Sequence, residues 1–457
     1  MCTLVCVAPS AAGAARAVPA IDRLDTVDVV AGAVGLSSGG VAIVGQSADF
    51  RIGRWVVGED LSLRPIGKTV KPALPNRLGD IDNMVATPSG RFIALPTSGG
   101  QARVIPTAAG STDEFVLRGP RENTPVRLFP GDPDGFVAVS QRGLQILDAE
   151  RRTSTPARFS GPRPFTASRG RELVSYGRSQ DASVFGLCGR TSRLGAQSGG
   201  VVLGAMDMGA STMSTRLLRA SALVAGSCAV SRSRTVATTL SNPDIRIQSN
   251  SVRLAVLRSG RIRSFKIGGG RYQDVVSISP DGRRVVLASS SATRIVDTVT
   301  GTVRRLEGVR VAVPEDAFSA PAEGNPVALW TDDSARLLIV AKNHGGLWSV
   351  AAKGNAKRIY VGTTNLVRLS PDGSRVVLAA SDGGQDPLLV TRPVTGGAPV
   401  ALTGNVVFGE PIPSLSGTSW WLLERASERR PNGLQRFDSA DIWRAPWEQA
   451  AVPFSPR

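Results

Sequence analysis

The phrase "ISPDGRRVVLAS", beginning at Ile278, returns as "LSPDGSRVVLAAS", beginning at Leu369. Pro280 pre-sets φ for the second position of a type I turn, Asp281 tolerates the third, and Gly282 supplies the left-handed residue that returns the chain to a strand. Val285, Val286 and Leu287 follow. That run is too short for a helix and is apolar on both faces, as a strand buried between two layers must be. A turn feeding a doubly buried strand, used more than once, is a module.

Weaker copies follow the same template. "WTDDSARLLIVAK" from Trp330 puts Asp332, Asp333 and Ser334 in the turn, and "ATPSGRFIAL" from Ala86, "FPGDPDGFVAV" from Phe129, "ASRGRELVSYG" from Ala167 and "AVSRSRTVATTL" from Ala229 come earlier. "LSSGGVAIVG" from Leu36 and "LSGTSWWLLE" from Leu415 bracket the set. The intervals, roughly 40 to 60 residues, suit four-stranded propeller blades. Between copies lie two more strand-like pieces joined by a turn, as in "ATRIVDTVTGTVRRLEG" from Ala292 and "VRLAVLRSGRIRSFKIG" from Val252. Dense turn punctuation, with 50 Gly and 30 Pro, and the absence of a long amphipathic pattern make this an all-β chain.

An S-P-D-G turn followed by an apolar strand and a Thr-Gly or Gly-Gly hairpin resembles the WD40-like repeat of TolB-type β-propellers. The likeness runs from about Val29 to Phe454 and is specific at Ser279 to Gly282 and Ser370 to Gly373. It implies one closed β-propeller over residues 18–457, with no cofactor and a partner site on its loops or channel. Nine candidates exceed the usual four to eight blades. The expectation is therefore eight, with seven the alternative and one candidate misread; the count is least secure between Ser179 and Arg216.

Residues 1–17 read as a secretory signal shortened at its start: a short apolar run, then Ala15-Arg16-Ala17 suited to cleavage, which puts the mature start at Val18 and the protein outside the cytoplasm. An unprocessed cytoplasmic leader is the alternative. Removing the leader keeps Cys188 and Cys228 of the four cysteines, about one blade apart, either as a disulfide or as two buried thiols.

The formal charge is +17, yet six of the 54 basic residues are Lys, so part of the basicity reflects an arginine-rich composition. Arg283-Arg284, Arg304-Arg305 and Arg429-Arg430 are pairs and not a run, while Arg261 and Arg263 alternate as solvent-facing residues of an outer strand do. A nucleic-acid site would interleave a basic stripe with aromatics, which are 5% of this chain. A protein or an anionic cell-envelope polymer is the better partner.

Catalytic patterns are weak. Gly35-Leu36-Ser37-Ser38-Gly39 spells a nucleophile elbow but lies in a hairpin turn, and His344 is the sole imidazole. Asp132 with Asp134, and Asp382 with Asp386, have the chemistry for calcium, although Asp in turns commonly serves backbone hydrogen bonds. Two function classes remain: a binding module, and a lyase or glycan hydrolase working in a central channel. The expected innermost strands "QDVVSIS", "TNLVRLS" and "PVALWTD" are largely apolar, which favours binding. Trp420, Trp421, Trp443 and Trp447, with Arg425, Arg429 and Arg430, form either a partner-binding patch or, for the tryptophans, packing between blades.

Overall fold

In a computed structural model of the chain, the structure describes residues 20–21, 29–46, 51–68, 84–97, 101–108, 111, 113–118, 127–131, 133–140, 143–163, 174–191, 200–219, 223–241, 252–267, 274–289, 292–311, 327–341, 345–352, 354–370, 372–381, 388–397, 400–401, 409–413, 419–424 and 433–438. These form nine sheets and no helix, eight sheets with four strands and one with five. Numbered I to IX along the chain, the sheets begin with the strands Val29–Gly35, Val85–Ala86, Arg127–Pro130, Val174–Arg178, Val224–Val230, Asp274–Ile278, Ala328–Trp330, Thr363–Leu369 and Gly409–Pro413. Each continues as an antiparallel meander. The fifth strand of sheet IV, Arg158–Phe159, lies parallel to Thr212–Arg219 at the outer edge.

The burial pattern explains the order. Second strands are sandwiched by neighbouring sheets and read as unbroken apolar runs; Val184–Arg190 is buried at every position and Val41–Gln46 at all but the last. Outer strands alternate with solvent, as in Arg261–Lys266 and Thr212–Arg219. Eight apolar clusters fill the gaps between sheets. Leu254, Val256, Leu287 and Val296 join V to VI, for example, and Leu338, Tyr360, Val376 and Leu378 join VII to VIII. One of the eight joins the first sheet to the last: Trp421 of IX packs among Val41, Ile43, Trp55 and Val57 of I.

Sheet IX is built from both ends of the chain. Gly409–Pro413, Ser419–Glu424 and Gly433–Asp438 come from the C-terminal part, and Ala20–Ile21 adds the outer strand, pairing Ala20 with Gln435 and Ile21 with Leu434.

The described residues form nine sheets, set against an expectation of eight units. Each of the nine candidate phrases falls at or beside one of these sheets, and the position of one needs correcting. The copy placed at Ala167 precedes the strand Val174–Arg178, and the turn of sheet IV is Ser179-Gln180-Asp181-Ala182, with Ala182 left-handed at φ 58°. Without Pro or Gly, that turn does not announce itself. The other hairpins fall where the sequence puts them, including Thr293–Asp297 with Val303–Leu306 and Arg253–Arg258 with Arg261–Lys266.

Candidate functional site

The inner turns, which join the first and second strands, form the most regular surface of the molecule. In "SPDG" the Asp281 carboxylate accepts hydrogen bonds from the Ser279 hydroxyl at 2.5 Å and the Arg283 amide at 2.9 Å, while the Ser279 hydroxyl oxygen accepts from the Arg284 amide. The same circuit recurs around Asp333, with Thr331 and Ala335, and around Asp372, with Ser370 and Ser374. Hydrogen bonds from Ser370 and Ser374 hold the Asp372 carboxyl at about 2. The Thr331 hydroxyl and the Ala335 amide lower that of Asp333. These carboxylates are spent on fixing their own turns.

The turns also grip one another. Ser37 of sheet I donates its hydroxyl to the Ser89 carbonyl of II, and the Ser89 amide donates to the Pro133 carbonyl of III at 3.0 Å. Arg232 of V meets Asp181 of IV at 3.3 Å, the Ser233 amide reaches Pro280 of VI, and the Asp281 amide donates to the Ser334 hydroxyl of VII. One contact crosses this surface. The Gln180 side chain of sheet IV donates from Nε2 to the Trp330 carbonyl of VII at 2.7 Å and accepts from the Trp330 amide at 3.0 Å. Sheets V and VI lie between them in the chain order, so the bond spans the inner side of the array.

Outer turns, between the third and fourth strands, make a second set of links. Arg216 of IV donates to the Gly260 carbonyl of V at 3.1 Å, Arg263 of V to Val299 of VI at 3.0 Å, and Arg304 of VI to Ala351 of VII at 3.3 Å. The outer strands of sheets IV, V and VI thus each carry an arginine that caps the outer turn of the next sheet. This use of arginine escaped the sequence reading, although the alternation of Arg261 and Arg263 did mark an outer strand.

Of the tryptophan and arginine patch, Trp421 is fully buried against sheet I and takes no part in an exposed surface. Trp420 lies on the same strand, Ser419–Glu424, paired with Phe437. Arg425, Arg429, Arg430, Trp443 and Trp447 lie outside the described residues, as do His344, Asp132, Asp382 and Asp386. Cys188 and Cys228 are joined by a disulfide between sheets IV and V, with their Cα atoms 5.6 Å apart. Ser37 serves as a link between turns, and the Asp134 carboxylate is engaged by Ser89 and by Arg91 at 2.8 Å. Among the described residues, no group of three His, Cys, Asp or Glu side chains is arranged to hold a metal ion, and no helix is long and apolar enough to cross a membrane.

No family model matches this chain, and no curated protein is similar to it. Its architecture has counterparts among solved structures. A eukaryotic initiation factor aligns over 91% of this chain and 94% of its own, with a TM-score of 0.51 at 13% identity. The structure of Chaetomium thermophilum Sqt1 bound to the N-terminus of the ribosomal protein L10 aligns over 91% and 99%, with a TM-score of 0.45 at 13% identity. The fold is a WD40-like assembly of four-stranded antiparallel sheets.

Proposed function

We propose that the chain is an exported, non-catalytic β-propeller of the TolB-like type, closed as a ring of nine blades, that binds a protein partner on its inner-turn face. Ring closure is supported by Trp421 packing into sheet I and by Ala20–Ile21 completing sheet IX. Export is supported by the Cys188–Cys228 bond, since such bonds persist in oxidising compartments. The observation that carries the binding reading is the Gln180 bridge to Trp330. It spans the side on which a channel enzyme would admit substrate, while the turns around it form a braced platform. That favours surface recognition over a lyase or hydrolase in the channel. An anionic envelope polymer is the second partner class, favoured by the +17 charge.

Capture from the native cell envelope with a tagged chain, read by mass spectrometry, tests this. Arg283→Glu and Asp332→Lys, both exposed on inner turns, should remove the captured partner without moving the melting temperature. Capture that survives both substitutions overturns the inner-turn assignment. Intact mass of the native protein should rise by the mass of two hydrogens on reduction, and its N-terminus should lie near Val18; a reduced chain that begins at Met1 overturns export.

A further inference from the structure

The fifth strand of sheet IV, Arg158–Phe159, stands outside the antiparallel meander and runs parallel to Thr212–Arg219. Beyond those two residues the chain continues as a strap along the same strand. The Arg158 amide donates to the Ser211 carbonyl at 2.9 Å and the Ser160 amide to the Met213 carbonyl at 3.0 Å. The hydroxyl of Thr215, a fully buried residue, donates to the Pro162 carbonyl at 2.8 Å.

This seat reads the sequence of its occupant at three places. Phe159 packs against the apolar cluster that holds Met206, Met208 and Met213, three of the five methionines in the chain. Flexible thioethers reshape around an aromatic ring and recur at surfaces that accept more than one partner. Gly161 lies so close to the strand that a Cβ would stand 2.5 Å from the Thr215 carbonyl oxygen. Pro162 then presents its carbonyl to the buried hydroxyl.

The backbone hold, by contrast, is short. Two residues form the ladder, and Pro162 has no N–H with which to extend it. Sheet IV is fastened elsewhere, by the Cys188–Cys228 bond to sheet V and by Gln180 to sheet VII, so its position does not depend on the strap.

We propose that this edge of sheet IV is a peptide-docking site closed by the chain's own strap, and that an extended partner segment with the pattern Phe-x-Gly-Pro displaces the strap and pairs in parallel with residues 212–215. The inference rests on the binding-module reading and adds to it a second surface and a partner chemistry. Strand addition at a sheet edge takes its affinity from main-chain hydrogen bonds and its specificity from the side-chain pockets. A bare edge pairs with any strand that reaches it. A strap that must be outcompeted limits access to segments that satisfy the methionine-lined seat, the close approach and the Thr215 hydroxyl together.

The test is fluorescence anisotropy with a labelled peptide of residues 157–163, Ala-Arg-Phe-Ser-Gly-Pro-Arg, added to the intact protein. Gly161→Val in the protein drives its own strap off the edge, and this variant should bind the peptide saturably and at least tenfold more tightly than the parent does. The same peptide carrying Phe159→Ala or Gly161→Val should bind the released protein at least tenfold more weakly. Protein and peptide are both positively charged, so net attraction does not account for binding. In the parent, hydrogen exchange at the Arg158 and Ser160 amides should be at least tenfold faster than in Val184–Arg190; equal protection overturns the proposal. Absence of saturable binding to the released protein overturns it, as does equal binding of the three peptides. Thermal melts establish that Gly161→Val folds, and Phe159→Ala in the protein replaces it if it does not. If neither variant melts cooperatively, the strap is a structural member of sheet IV and the proposal falls. Failure of peptide docking while Arg283→Glu and Asp332→Lys still abolish partner capture overturns the strap site and leaves the inner-turn reading standing.

Discussion

The indole N–H of Trp421 donates to the carbonyl oxygen of Gly39, 382 residues earlier in the chain, at 2.8 Å. Gly39 is the left-handed residue of the first inner turn, at φ 84°. One side chain of the last sheet thus fills the apolar side of the first and ties down its turn.

Trp421→Ala should cost about 3–5 kcal/mol, the range for emptying a core aromatic site. Trp421→Phe keeps most of the packing and should lose about 1 kcal/mol with the hydrogen bond. Chemical denaturation measures both. A Trp421→Ala protein as stable as the parent would return this residue to the surface patch suggested by the sequence.

Gln180→Ala removes two hydrogen bonds to the Trp330 backbone. The expected loss is about 1–3 kcal/mol in the denaturation midpoint, from two ordinary hydrogen bonds. Gln180→Glu should be at least as harmful, since a carboxylate keeps the acceptor but brings a second oxygen toward the Trp330 carbonyl.

Ala182 and Gly282 occupy the same turn position in sheets IV and VI, at φ 58° and 68°. A non-glycine residue there carries strain of roughly 1–2 kcal/mol, so Ala182→Gly should raise stability by about 1 kcal/mol after its entropic cost. Gly282→Ala should do the reverse and more, because a Cβ would stand 2.2 Å from the Thr235 hydroxyl. Thermal melts of the two variants should move in opposite directions.

Acid should find Asp372. Its carboxyl titrates at about 2, below the ordinary 3.8, so the turn contributes its full stability above the unfolded value and loses it as pH falls through about 2. Asp372→Asn should therefore be destabilising at neutral pH, and the gap from the parent should narrow between pH ~4 and ~2. A gap that is constant across that window would show that the charge is not what holds the turn.

Much of this architecture is legible because a left-handed turn position selects glycine, and Pro-Asp-Gly then advertises the inner turns of sheets VI and VIII. Sheet IV was misplaced because Gln180 and Ala182 stand where proline and glycine carry the signal. The hairpin of Arg253–Arg258 with Arg261–Lys266 was readable from its turn and its alternation. That Arg258 and Arg305 lie on facing sides of V and VI was not, since it follows only from strand register and the packing of V on VI. Trp421 shows the same limit: the sequence offers it to a surface patch or to the packing between sheets, and only the neighbouring sheet decides that it is buried.

Sheet IX takes its outer strand, Ala20–Ile21, from the N-terminal part of the chain and the rest from the C-terminal part. During synthesis, that strand and the apolar side of sheet I emerge before the strands they pack against and must wait for them. A product broken off before Trp421 leaves Val41, Ile43, Trp55 and Val57 without their cover. Synthesis through Trp421 therefore covers that surface, and copies that stop short of it present the bare apolar surface that chaperones and proteases recognise.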